Sequence, residues 1–104
     1  MQSDLSQELK AHAQEAAQLL KALANENRLM ILCSLVQQEL NVSQLNERLT
    51  LSQSALSQHL AWLRRAGLVQ TRREAQTIFY SLRGSKAKQV ISVLQSIYCA
   101  DLVD

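Results

Sequence analysis

At 104 residues, 47% hydrophobic but only 4% aromatic, the chain has room for one domain whose core must be built from Leu, Ile, Val and Ala. No apolar run approaches the roughly 18 residues of a membrane helix, and the polar opening MQSDLSQELK is no secretory signal, so the expected place is the cytoplasm, where two cysteines are not by default a disulfide framework. The net charge of +2 decides little, but residues 1–52 carry four Lys/Arg against six Asp/Glu while residues 53–104 carry seven against three, which puts any polyanion-binding face in the second half.

Residues 5–23 read as one amphipathic helix: Leu5, Leu9, Ala13, Ala16, Leu20 and Leu23 recur at steps of three and four, and Ser3 or Asp4 can cap its start. Asn25 breaks the pattern and can cap a second helix over about 26–37, with Leu29, Leu32, Cys33 and Val36 as its stripe. A polar turn at 39–42 tucks in Leu40 and Val42. Ser43 can then cap a short helix to about Leu49, carrying Leu45 and Leu49 inward. After Thr50-Leu51-Ser52, with Ser52 as N-cap, a fourth helix runs over 53–65 and ends at Gly67, which supplies a left-handed residue.

The texture then changes. Val69–Arg73 and Thr77–Leu82 are rich in β-branched and aromatic residues and predict a hairpin turning at Glu74-Ala75-Gln76. Alternation is clear only in the second strand, at Ile78, Tyr80 and Leu82. A last helix, about 85–99, carries Val90, Leu94 and Ile97 on one face and Ala87, Ile91 and Tyr98 on another. A helix with two apolar faces needs two partners: its own core and, on this reading, a second subunit. With no Pro and two Gly in the chain, helices joined by short turns are the expected architecture.

Residues 43–65 form a helix-turn-helix pattern, in which the second helix enters the major groove. At about 100° per residue, Leu56, Leu60 and Leu63 face inward, while Ser54, Gln58, Ala61 and Arg65 face outward with Ser57 beside them and Gln53 at the start. Ser and Gln can donate to and accept from base edges, Ala61 permits close approach, and Arg64 and Arg65 suit phosphates. An ordinary solvated helix face has the same composition. The hairpin tips the reading, because Arg72 and Arg73 before its tip and Gln76 after it make a wing that can reach backbone or minor groove. The alternative there is that the arginines keep an edge strand soluble. His59 borders the apolar stripe and can reach a phosphate or bond within the domain, and Trp62 suits packing.

Three segments carry a resemblance: Leu23-Ala-Asn-Glu-Asn-Arg-Leu-Met-Ile-Leu32, Leu51-Ser-Gln-Ser-Ala-Leu-Ser-Gln-His-Leu60 and Leu63-Arg-Arg-Ala-Gly-Leu-Val69. Together they resemble the ArsR/SmtB family of bacterial transcription regulators, over about residues 16–99. The resemblance implies a mainly α winged helix-turn-helix fold in the order α-α-α-α-β-β-α. It implies a single domain (43–65 helix-turn-helix, 68–82 wing) that dimerises through its first and last helices, 5–23 and 85–99. Such a homodimer reads an inverted-repeat operator in double-stranded DNA with two recognition helices about one turn apart.

Most members of that family sense metals, through a Cys-x-Cys pair before the recognition helix or Asp/His/Glu ligands on the last one. Here the first segment reads Ser43-Gln-Leu-Asn-Glu-Arg48, and residues 85–99 hold no His, Asp or Glu. His12, His59, Cys33 and Cys99 have no zinc-like spacing, so neither metal nor cofactor is expected. Cys33 and Cys99 resemble instead the non-metal, thiol-switch branch of the family. That likeness implies a disulfide or polysulfide bridge formed in response to reactive sulfur species or oxidants. Members of the branch repress sulfur-detoxification genes, or raise toxin expression by displacing a silencing protein from DNA.

Taken singly, Cys33 on its apolar stripe is a small buried hydrophobe. The pair makes a switch if its Cα atoms lie within roughly 7 Å. Arg28 and Lys88, the nearest bases in sequence, are not at contact spacing from either thiol. The alternatives are a regulator with structural cysteines that competes for DNA, or a protein-interaction module, for which a large exposed apolar patch on 53–65 would be needed. Without Cys-x-x-Cys, a His beside either Cys or a phosphate loop, an enzyme is not expected.

Overall fold

The structure, a computed structural model, describes residues 2–99, with side chains from Ser6 onward. The expected roles of Ser3, Asp4 and Leu5 lie outside the described side chains. The chain forms six helices and three strands among the described residues.

The first expected helix is two: α1 (Gln2–Ala11) and α2 (Ala13–Leu23). At His12 the backbone leaves helical values (φ −111°, ψ 12°), and α2 starts afresh with Glu15 in its first turn, where the positive end of the helix dipole favours a carboxylate. Only the end of α2 reaches the core, through Ala22 and Leu23 with Leu19 half-buried; Leu9, Ala13 and Leu20 of the expected inward stripe are exposed. Helix α3 (Glu26–Ser34) is capped as expected, the Asn25 side chain accepting from the Arg28 N–H at 3.0 Å. It stops short of 37, and the Ser34 hydroxyl donates back to the Met30 carbonyl.

Strand β1 (Leu40–Asn41) replaces the expected turn. Helix α4 (Val42–Arg48) begins one residue before Ser43, because Asn41 and Gln44 close a reciprocal capping box at 2.8 and 2.9 Å. Helix α5 (Gln53–Arg65) has the expected bounds. Ser52 Oγ accepts from the Ala55 N–H. At the far end Leu68 N–H donates to Leu63 O and Gly67 N–H to Arg64 O, with Gly67 at φ +78°. This is a Schellman motif, and its apolar contact is between buried Leu63 and Leu68.

Strands β2 (Val69–Glu74) and β3 (Thr77–Leu82) pair antiparallel from Val69–Leu82 to Glu74–Thr77, and β1 adds to β3 at Leu40–Tyr80. The sheet order is β1-β3-β2. Ala75 turns the hairpin at φ +56°, a left-handed conformation that costs an L-residue roughly 1–2 kcal/mol. Tyr80 and Leu82 pack on the core, but Ile78, expected to face in with them, is exposed.

Helix α6 (Lys86–Tyr98) is shorter than 85–99 by a residue at each end, and Cys99 is its C-cap. Its inward face is Ala87 and Ile91 with Val90 and Leu94 half-buried. Tyr98 does not join that face; it is 79% exposed, near exposed Val93 and Ile97. One core collects α2 to α6 and the sheet: Leu23, Ile31, Leu32, Leu35, Leu40, Leu45, Leu56, Leu60, Leu63, Val69 and Ile91. Three of these leucines belong to α5, so the core fixes which side of α5 faces out.

Candidate nucleic-acid interface

With Leu56, Leu60 and Leu63 buried, the opposite side of α5 is fixed by helix geometry. Gln53, Ser54, Ser57, Gln58, Ala61, Arg64 and Arg65 are all exposed, as expected. The face is polar and narrow at its N-terminal end and basic in its last turn. Ser57, Ala61, Arg64 and Arg65 line a shallow depression with Tyr80 of β3, so wing and helix border one concave surface. In the sequence Tyr80 is marked only as a strand residue. Its place at this edge comes from the sheet register, which no local pattern shows.

His59 is half-buried and borders a second depression with Arg28, Gln58, Ala61, Trp62 and Arg65. Trp62 packs against the core as expected. The guanidinium of Arg28 lies 4.2 Å from its ring centroid.

The wing departs from expectation at Arg72. Its Nε donates to both Glu39 carboxylate oxygens at 3.1 and 3.2 Å, and its Nη1 donates to Glu74 at 2.7 Å. Its Cζ stands 4.8 Å from the Phe79 ring centroid. The Arg72 hydrogen bond holds the Glu39 carboxyl below its usual range, and the two carboxylates raise the guanidinium's own pKa. In the free protein two carboxylates therefore engage its donor fork and offset its charge. Glu39 lies 33 residues away, which is why sequence spacing gave no sign of the pair. Arg73 differs. Its Nε donates to the Ala75 carbonyl, and it pairs with no carboxylate among the described residues. Gln76 is exposed at the tip.

Cys33 and Cys99 are both free thiols and half-buried. Burial pushes the Cys33 thiol above its ordinary pKa, and the charge of Cys99 pushes it further.

Among the described residues no three His, Cys, Asp or Glu side chains are grouped to hold a metal, and no helix is long and apolar enough to cross a membrane.

Residues 25–71 match the sequence profile described as bacterial regulatory protein, arsR family. The transcriptional activator HlyU of Vibrio cholerae is 58% identical over 93 residues, 89% of this chain and 86% of that protein. A solved structure of reduced HlyU from the same organism superposes with a TM-score of 0.82 at 58% identity, covering 89% of this chain and 98% of that one. The transcriptional repressor BigR of Xylella fastidiosa superposes with a TM-score of 0.85 at 40% identity, covering 90% and 96%.

Proposed function

Since the chain belongs to the arsR family and is a DNA-binding transcription regulator with a winged-helix fold, and not an enzyme, we propose that it acts in the cytoplasm as a homodimer that reads an inverted repeat with α5 and is switched by Cys33 and Cys99. The observation that carries this reading is the outward side of α5. Serine and glutamine hydroxyl and amide groups stand over three buried leucines, with Arg64 and Arg65 at the end of the same helix. Ser54, Ser57 and Gln58 meet base edges, and Gln53, His59, Arg64, Arg65, Arg73 and Gln76 meet the backbone. The exposed apolar residues Leu9 and Leu20 on one side, and Val93, Ile97 and Tyr98 on the other, supply the subunit contact. A selection from a randomised duplex pool tests the DNA reading directly. Enrichment of an inverted repeat supports it, and recovery of no sequence sinks it.

The wing predicts a split between neighbouring arginines. Arg73→Ala lowers affinity for every duplex and shallows the slope of log K against log salt by about 0.9, the value for one lost phosphate contact. Arg72→Ala leaves that slope unchanged, because its charge is already answered by Glu39 and Glu74. Equal slope changes in an anisotropy titration would remove this distinction.

The switch closes in two thiol exchanges. Cys99, at the end of α6, attacks the outer sulfur of a low-molecular-weight persulfide, taking that sulfur and releasing the carrier thiol. The Cys33 thiolate then attacks Cys99 Sγ and expels hydrosulfide, leaving a disulfide. Two thiols are oxidised and one sulfane sulfur is reduced. The bond ties α3 to α6 and favours a spacing of the recognition helices that binds DNA less well. The HlyU structure described as reduced supports this reading, since it defines one redox state of a relative.

Treatment with an organic polysulfide should therefore lower operator affinity at least tenfold in wild type and not at all in Cys33→Ser. Because burial raises the Cys33 pKa, its thiolate fraction grows as pH rises through the alkaline range, and bridge formation accelerates in step. Unchanged mass and affinity after treatment would dispose of the switch and leave the DNA reading standing.

A further inference from the structure

Arg28 touches both the end of α2 and the side of α5. Its own N–H is held by Asn25 at the start of α3. Its Nε donates to the Ala22 carbonyl at 3.1 Å and its Nη2 to the Lys21 carbonyl at 2.9 Å. Those carbonyls lie in the last turn of α2, where the dipole presents negative charge, and the Lys21 carbonyl accepts from the Ala24 N–H as well. The same guanidinium plane covers the face of Trp62 at 4.2 Å. Trp62 follows Ala61 directly, and Gln58 and Arg65, one turn before and after it, are exposed on the outward side of α5. One side chain thus fastens the end of α2 to the helix that carries the reading face.

We propose that Arg28 is a positioning residue that couples α2 to α5 through Trp62. This rests on the reading that α5 enters a DNA groove and α2 belongs to the subunit contact. A dimer reads two half-sites only when both recognition helices are held at the right spacing and tilt. The buried leucines of α5 set which side faces out, and a hold from outside that stripe further opposes rocking about the helix axis. A planar cation fixed at two carbonyls and stacked on the tryptophan resists that rocking. Lysine cannot replace it, since an ammonium is a point charge without the fork or the flat face. A rival role exists for the same residue: its place beside Gln58 and Arg65 would also suit a plain phosphate contact.

The two roles separate in a titration. The probe is the duplex that wild type selects from a randomised pool. Trp62 is the sole tryptophan, so its emission reports the contact without a label. Arg28→Ala and Arg28→Lys should each shift free-protein emission to the red and weaken binding about tenfold, with the salt slope of wild type. Trp62→Leu should weaken binding as much as Arg28→Ala, and the double variant no more than either alone. Circular dichroism at the binding temperature confirms that each variant is folded. Should Arg28→Ala fail to fold, Arg28→Lys and Trp62→Leu carry the same comparison.

A slope shallower by about 0.9, with binding rescued by lysine, would make Arg28 a phosphate contact and overturn the coupling. Losses that add in the double variant, or unchanged affinity in all variants, would overturn it too, with the DNA reading intact. A wild type that selects no duplex overturns both.

Discussion

Ala61→Glu abolishes operator binding, lowering affinity by at least a hundredfold, while thermal unfolding of the free protein barely moves. Ala61 lies in the middle of the exposed side of α5, between Ser57 and Gln58 on one turn and Arg64 and Arg65 on the next. A hundredfold loss is about 2.8 kcal/mol. One carboxylate about 4 Å from one phosphate at an effective dielectric near 20 already costs about 4 kcal/mol, and the longer side chain also blocks the close approach that alanine allows. The free protein feels almost nothing. The site is exposed, glutamate is a good helix former, and a carboxylate there sits four residues before Arg65, a favourable spacing worth about 0.2–0.5 kcal/mol. Anisotropy with the selected duplex beside calorimetry of the free protein measures both quantities. Wild-type affinity in this variant would mean that α5 does not enter a groove.

This separation depends on a face that was legible before any coordinates. Ser52 as N-cap, the leucine stripe and Gly67 fix both ends of α5 and its inward side by local rules alone. What local rules missed was tertiary. The break at His12 interrupts a stripe with no Pro or Gly to mark it, and the stripe misled because Leu9 and Leu20 never reach the subunit's own core. Tyr98 fits a helical wheel with Ala87 and Ile91, yet it lies past the point where the core ends. Ser43 lost its capping role to Asn41 because Gln44 could answer Asn41 reciprocally, a pairing that becomes visible only once the turn is built. Arg72 and Arg28 are the instructive cases. In sequence both are simply basic residues, but one is neutralised by Glu39 across the sheet and the other is bound to helix-end carbonyls. Charge counting finds the more basic half of the chain and cannot say which cations are already engaged.

Leu60→Ala, one position away, should do the reverse of the charge substitution. Leu60 has no exposed surface and sits between Leu56 and Leu63 in a core with no fully buried aromatic ring to swing into a gap. Removing three methylene-sized groups there costs about 3–5 kcal/mol, the transfer of the side chain plus the cavity it leaves. A domain of this size has roughly 5–15 kcal/mol of stability in all. At roughly 4–8 °C per kcal/mol for a domain near this length, the midpoint falls by more than about 12 °C, measured at fixed protein concentration because any self-association would add to apparent stability. Leu60→Met, which conserves volume, should keep the loss under about 1.5 kcal/mol. DNA binding of Leu60→Ala, taken well below its midpoint, should fall far less than that of Ala61→Glu, since every group on the outward face is still present. Adjacent residues would then divide cleanly, one governing whether α5 is held and the other what α5 can touch. If Leu60→Ala left the midpoint unmoved, the buried stripe would not be what orients the reading face, and the assignment of every outward residue would lose its foundation.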